Sequence, residues 1–394
     1  MRITNFNCVI FSDKLPAPGN IRGDHMGHVL ALLLALYIAV ATPFTVFAAP
    51  ARSIVDVTGT TRTIPATVRQ VICSGSGCLR LLTYLQAQSM VTGVDDMETR
   101  RSHFEARPYA LAHPGFKHLP TFGEFRGHDN PEQILNLAPQ PDVIFKTFAT
   151  RGTDPDELAR KTGIPVVVLE VGDLGDYRPN LYHSLRIMGR VIGKEDRAEK
   201  VIEFFEKNIQ EIGLRTKGAQ DEHPRKVYIG GVASRGPHGF QSTEPDYPPF
   251  RFVGLRNIAY TRGLTGKGLR HSDVAKEKIL EWDPDILFLD LSTLQFGKQG
   301  GGMHELRTDP AYRALTAVGQ GKVYGVLPYN LYSQNYGSIL ANAWFIGKVL
   351  YPDRFRDIDP RAKADAIYTF LVGQPVFDTM NQAFDHLVFK QIPL

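Results

Sequence analysis

Cysteine is scarce in this chain, three residues in 394, which excludes a disulfide scaffold. Cys8 precedes a long apolar run, leaving only Cys73 and Cys78 beyond it. That pair can close one bridge across a turn or stand as two buried thiols, and it falls short of the four ligands of a zinc site. Positive charge is also thin: the net charge is +4, with no Lys/Arg block and no basic stripe interleaved with aromatics. Nucleic acid is therefore not an expected partner. No H-E-x-x-H, G-x-S-x-G or Walker motif occurs. Gly263-Leu264-Thr265-Gly266-Lys267-Gly268 lacks the four-residue spacer and the Ser/Thr of a phosphate loop. The twelve histidines are scattered, none paired at i, i+4. No catalytic residue, resident metal or cofactor is expected, and the chain is not expected to be an enzyme.

Long hydrophobic runs are absent except for one, Val29 to Phe47, followed by Ala48-Ala49-Pro50. Val46 and Ala48 satisfy the small-residue rule for signal cleavage, which predicts a signal peptide over 1–48 and a mature start near Ala49. Met26 is an alternative start that would leave 1–25 untranslated. The competing reading is an uncleaved anchor, for which the run is just long enough; Pro43 and the small-residue site favour cleavage. Export without a lipidation cysteine after the run predicts a periplasmic protein, expected as a monomer.

What the sequence does carry is centred on Val71-Ile72-Cys73-Ser74-Gly75-Ser76-Gly77-Cys78-Leu79-Arg80. An apolar run enters a Ser/Gly turn, and a helical pattern opens at Leu79, Leu82 and Leu85, giving strand–turn–helix. Gly75 and Gly77 begin like a dinucleotide fingerprint, but the third glycine position is Arg80. A hairpin precedes this unit, around Ile54–Val57 and Arg62–Pro65. Strands are predicted at Met90–Val94, Pro141–Phe145 and Pro165–Leu169, and a Pro-punctuated surface excursion at Arg107–Pro114. Alternation of strand and helix at this spacing predicts the α/β class. From Asn180 to Leu214 the spacing is helical throughout, predicting one long connecting helix with at most a kink at Gly193.

The second half repeats the first. Glu277-Lys278-Ile279-Leu280 and Pro284-Asp285-Ile286-Leu287-Phe288 echo Glu132-Gln133-Ile134-Leu135 and Pro141-Asp142-Val143-Ile144-Phe145. Duplication predicts two α/β lobes with central parallel sheets, each with its own core. The expected boundaries are 49–179 for the first lobe, 180–217 for the linker helix and 218–394 for the second lobe.

Ligands of open α/β sheets bind beyond the C-terminal ends of the strands. The loops expected there carry Ser76 and Gly77, Arg126 and His128, Arg235, His238 and Phe240, Tyr247, and Tyr329 and Tyr332. Arginine or histidine beside aromatic rings suits a large, flat or anionic ligand.

Taken together, the edge hairpin, the Val71–Leu82 unit, the paired E-x-I-L and P-D blocks and the mid-chain helix resemble the periplasmic substrate-binding proteins of ABC importers for iron–siderophore, haem and vitamin B12. This is the class III, helical-backbone type. The resemblance covers the whole mature chain. It implies that the two lobes are Rossmann-like, and it implies capture of a small metal chelate and its delivery to permease subunits in the inner membrane. It also implies one exposed glutamate per lobe that docks on the permease, which by position would be Glu132 and Glu277. The Tyr228–Phe250 segment looks like a subgroup of iron-complex binders, so a ferric chelate is the expected ligand. Cobalamin or another corrinoid, and haem, are the alternatives within the class; an exported metal-complex enzyme using Cys73/Cys78 and a membrane-anchored sensor are the alternatives outside it.

Overall fold

The computed structural model describes residues 51–100, 103–148, 150–219, 225–261 and 271–394. The expected signal segment, 1–48, lies outside them, as does the phosphate-loop lookalike at 263–268. No helix among the described residues is long and apolar enough to cross a membrane.

Chain entry is the expected hairpin, β1 (Arg52–Val55) against β2 (Thr61–Ile64). Strand β3 (Val71–Ser74) is buried along its whole length, as its unbroken apolar run requires of a central strand. Around it stand β4 (Val91–Asp95), β5 (Thr121–Glu124), β6 (His128–Asp129), β7 (Val143–Thr147) and β8 (Val166–Leu169), in the order β6-β5-β4-β3-β7-β8. Pairing is parallel from β5 to β8, and β6 runs antiparallel at the edge, so the sheet is mixed. The second half has a parallel three-stranded sheet, β13-β12-β9, from β9 (Val227–Gly230), β12 (Ile286–Asp290) and β13 (Val323–Val326). A two-residue antiparallel pair, β10 (Ser242–Thr243) and β11 (Ser272–Asp273), flanks it.

The duplicated blocks have a physical reason. In the first, the Asp142 carboxylate accepts from the amides of Arg69 and Gln70 at 2.7 and 2.9 Å, pinning the chain as it enters β3. In the second, Asp285 accepts from the Lys226 amide at 2.7 Å, just before β9. Each P-D pair thus sets the register of a strand against its predecessor, and β3–β7–β8 corresponds to β9–β12–β13.

Two α/β domains are linked by long helices, and here the expectation of a single helix fails. Helix α1 (Cys78–Tyr84) follows β3, while α2 (Arg178–Ile192) and α3 (Glu195–Thr216) divide the predicted connector. Gly193 takes φ 68°, a left-handed cap that ends α2 and reverses the chain. The two helices then lie antiparallel: Arg186 pairs with Glu199 at 2.6 Å and Arg178 with Glu206 at 3.2 Å. Only α3, 22 residues and about 33 Å long, can act as the strut.

The final segment closes the structure. Helix α4 (Tyr336–Leu350) lies against α3, where Trp344 Nε1 donates to Asn208 Oδ1 at 3.0 Å. Helix α5 (Pro360–Val372) reaches the N-terminal half, its Phe370 and Val372 carbonyls meeting Arg197 and His113. One apolar cluster consequently runs through both halves, and a smaller one of Ile72, Phe122, Ile134 and Ile144 with their neighbours lies in the N-terminal domain. Separate cores, one per domain, are not what is found. The supposed surface excursion is also internal: Arg107 and Tyr109 are almost wholly buried.

Candidate functional site

The Ser/Gly turn that follows β3 is shaped by close approach. Gly75 has φ 85°, and a side chain there would meet Thr147 Oγ1 at 2.7 Å and its carbonyl oxygen at 2.8 Å. Only glycine lets the turn lie this close to the end of β7. Ser76 is thereby carried to the wall of a cavity of about 420 Å³. Met97, Phe104, Phe125 and Arg126 add to this wall from the N-terminal half; Arg235, Ser292, Gln295, Asn330, Leu331 and Tyr332 face them from the C-terminal half.

Arg126 owes its position to a buried ion pair. It sits at φ 65° in a short turn and lies 4.9 Å over the Phe125 ring. Behind it, Lys146 Nζ donates to the Gly127 carbonyl at 2.9 Å, to Ser74 Oγ at 3.1 Å and to Asp129 Oδ2 at 2.5 Å. Both side chains of this pair are fully buried. A desolvated charge pair depends on hydrogen bonds to its remaining polar atoms; Lys146 finds them in the Gly127 carbonyl and Ser74 Oγ, whereas Asp129 Oδ1 has no partner among the described residues. Arg126 projects from this anchored base into solvent. Arg235, at φ 59°, projects from the loop after β9. Among the described residues neither guanidinium meets a carboxylate, and both are exposed.

The other cavity wall is held by contacts between the two halves. Arg80, 1% exposed, crosses from α1 and donates through Nε to Asn335 Oδ1 at 2.9 Å and through Nη2 to the Tyr332 carbonyl at 2.9 Å. Tyr332 and Ser333 both take left-handed φ, 50° and 71°, a costly turn for non-glycine residues that Arg80 helps to fix. The Tyr332 hydroxyl donates to Asp95 at the end of β4. Burial, reinforced by the Glu98 charge, pushes the Asp95 carboxyl up to about 7. Glu98 itself is tied to Arg107 at 2.9 Å and to the Tyr109 hydroxyl at 2.6 Å. No local pattern marks Arg80 or Asp95 as a wall-builder. The one available signal was an arginine on the apolar face of a short helix.

Of the ten residues expected to line the site, Ser76, Arg126, Arg235 and Tyr332 are brought to this one cavity. Gly77 is not a lining residue: it packs where a side chain would strike Val171 and Ser333 at 3.0–3.1 Å. Phe240, Tyr247 and Tyr329 are corrections. All three are at most 1% exposed, packed in the C-terminal core. Phe240 stands edge-on to Tyr228, while the Tyr329 hydroxyl donates to Glu244 and Tyr247 receives Asn342 Nδ2 at 3.2 Å. His128 faces a separate polar hollow with Asp96, Glu124 and Gln133. His238 is turned from the cavity, its Nε2 donating to the Ser234 carbonyl at 2.8 Å. Cys73 and Cys78 are free, buried thiols, and burial pushes the Cys73 thiol well up, away from reactive thiolate. Glu132 and Glu277 are exposed, each the second residue of its helix, Pro131–Leu135 and Lys276–Trp282.

A model of the periplasmic binding protein family matches residues 96–329. The chain belongs to that family. It is a periplasmic solute-binding protein of an ABC importer, and not an enzyme. Among curated relatives it is 24% identical over 320 residues to the molybdate-binding protein MolA of Haemophilus influenzae, spanning 75% of this chain and 84% of that one. It is 21% identical over 196 residues to an iron-uptake system-binding protein of Bacillus subtilis, spanning 50% of this chain and 57% of that one. The molybdate-bound MolA structure superposes with a TM-score of 0.61 at 18% identity, covering 82% of this chain and 98% of its own. A periplasmic solute-binding protein from Veillonella parvula gives 0.64 at 17% identity, covering 85% and 97%. At these identities the structural likenesses show a shared fold.

Proposed function

We propose that this periplasmic binding protein captures an anionic iron chelate of the siderophore type in the cavity between its two domains and hands it to the importer permease. The observation that carries this reading is the pair of guanidiniums, Arg126 and Arg235, one from each half, which line a single cavity and meet no carboxylate among the described residues. An anion with several oxygens satisfies both through charge-assisted hydrogen bonds. Phe104, Phe125 and Met97 add apolar surface for the organic frame of a chelate. A volume of about 420 Å³ falls in the range of roughly 300–1,000 Å³ typical of small-molecule sites.

A second reading, an oxoanion cargo, draws on the likeness to MolA and on the same two arginines. The apolar rings are less use to a bare oxoanion, which favours the chelate. Haem, with two carboxylates, and a corrinoid remain as comparison ligands within the class. The match between β3–β7–β8 and β9–β12–β13 supports two Rossmann-like lobes, at 49–179 and 218–394; the connector at 180–217 and the removal of an export segment 1–48 rest on the sequence pattern.

Glu132 and Glu277 occupy equivalent exposed positions in the duplicated blocks, which supports their role as the permease-docking pair. Binding and uptake measured in parallel test both parts. Calorimetric titration of the mature protein with ferric hydroxamate, catecholate and citrate complexes, haem, cobalamin and molybdate should find a ferric chelate bound below about 10 μM, near −7 kcal/mol. Molybdate alone binding at that strength contradicts the chelate reading. Glu132→Lys with Glu277→Lys should abolish uptake at unchanged affinity, and a parallel fall in affinity contradicts the docking role.

A further inference from the structure

Between the loop that carries Arg235 and the β11 segment lies a second group of side chains with no part in the cavity. His238, His271 and Asp273 each offer one ligand atom, and these atoms all lie within 4.8 Å of one another. The fold sets this cluster up from two sides. His238 follows β9 on the 231–241 loop. Asp273 lies in β11, directly across from Ser242 of β10.

The hydrogen bonds around the two rings settle which nitrogen is free on each. The Ser234 carbonyl can only accept, so His238 carries its proton on Nε2 and presents Nδ1 as a lone pair. Ser242 Oγ donates its proton to the Val232 carbonyl at 2.6 Å. That hydroxyl therefore accepts from His271 Nε2 at 2.9 Å, leaving His271 Nδ1 free as well. Metal-binding histidines show this pattern: the distal N–H is given to a carbonyl or other acceptor, which fixes the tautomer and the ring orientation. The two ring centroids lie 5.0 Å apart, and Asp273 Oδ1 stands 3.7 Å from His271 Nε2, the protonated side of that ring, so joining the two Nδ1 atoms requires its exposed side chain to rotate.

The geometry points to a divalent transition-metal site of the zinc class at His238, His271 and Asp273, separate from the cargo cavity. Two imidazoles and one carboxylate suit such an ion and leave a coordination position for water. A bound ion would clip the Arg235 loop to the β10–β11 pair, stiffening the less supported of the two cavity walls. The inference holds whatever the cargo is.

The test uses untagged mature protein, stripped with a chelator and titrated with zinc chloride against a chromophoric competitor, with no iron chelate present. One equivalent should bind with Kd below about 10 μM. His238→Gln with His271→Gln should weaken binding by at least ~100-fold, since loss of outer-shell partners alone costs about 10–100-fold. His128→Gln, in the other domain, should leave it unchanged. Asp273→Asn, at an exposed side chain, should weaken it by ~10-fold or more without shifting Tm, and it decides the matter if the double variant fails to fold. Cobalt(II) should give visible d–d bands that Asp273→Asn alters. Absence of wild-type binding below 10 μM, or wild-type affinity in folded Asp273→Asn and double variants, overturns the site.

Discussion

The two arginines that face the cavity are carried in different ways. Arg126 stands on a turn whose carbonyl is held by Lys146, a fully buried cation paired with an equally buried Asp129. Arg235 stands on a loop tied to the core by neutral hydrogen bonds, His238 to the Ser234 carbonyl at 2.8 Å, Thr293 Oγ1 to the His238 carbonyl at 2.9 Å and Ser292 Oγ to the Gly231 carbonyl at 3.2 Å, and among the described residues no buried ion pair anchors it. The N-terminal wall is therefore anchored by a buried ion pair, and the C-terminal wall by neutral hydrogen bonds. The same contrast shows in the sheets: six strands behind Arg126, three in the main sheet behind Arg235.

Lys146→Ala should produce the largest effect. It strands the Asp129 carboxylate in the core, and breaking a buried pair costs about 3–5 kcal/mol. Urea unfolding should show that loss together with weakened cargo binding, whereas Arg235→Ala should weaken cargo binding at unchanged stability. Equal losses of stability would erase the contrast between the walls.

A smaller effect concerns Asp95, which receives the Tyr332 hydroxyl between the two halves. Its carboxyl is raised by burial to about 7 from an ordinary value near 4, so the folded state holds the proton more tightly than the unfolded chain. Its contribution to stability is thus complete below about pH 4 and is lost as pH rises through 7. Between pH 5 and 8 the wild type should lose about 2–3 kcal/mol relative to Asp95→Asn, which cannot ionise and retains an acceptor for Tyr332. Parallel stability curves for the two proteins would show that Asp95 does not titrate in this range.

Much of the architecture was legible because it is local. Apolar strands bounded by Gly and Pro, and the repeated P-D pairs, depend on neighbouring residues and reappear in place. The break between α2 and α3 was hidden because helical spacing continues on both sides of Gly193, and only the left-handed cap reverses the chain. The aromatic loops misled for a related reason. Phe240, Tyr247 and Tyr329 sit near Gly and Pro, as surface residues do, yet tertiary packing takes their rings into the core. Arg80 was hardest to read: its partners lie 251 to 255 residues away, and no local pattern announces a guanidinium that joins two halves.

One cavity is proposed to take an anion between arginines from both halves. Calorimetry on Arg126→Ala, Arg235→Ala and the double variant, with whichever ferric chelate the wild type binds, tests it most directly. Each single change should weaken binding by about 10-fold or more, as loss of a charge-assisted contact worth roughly 1.5–3 kcal/mol requires. The double change should abolish measurable binding while the Tm of Arg235→Ala stays at the wild-type value. Wild-type affinity in the double variant would contradict the account.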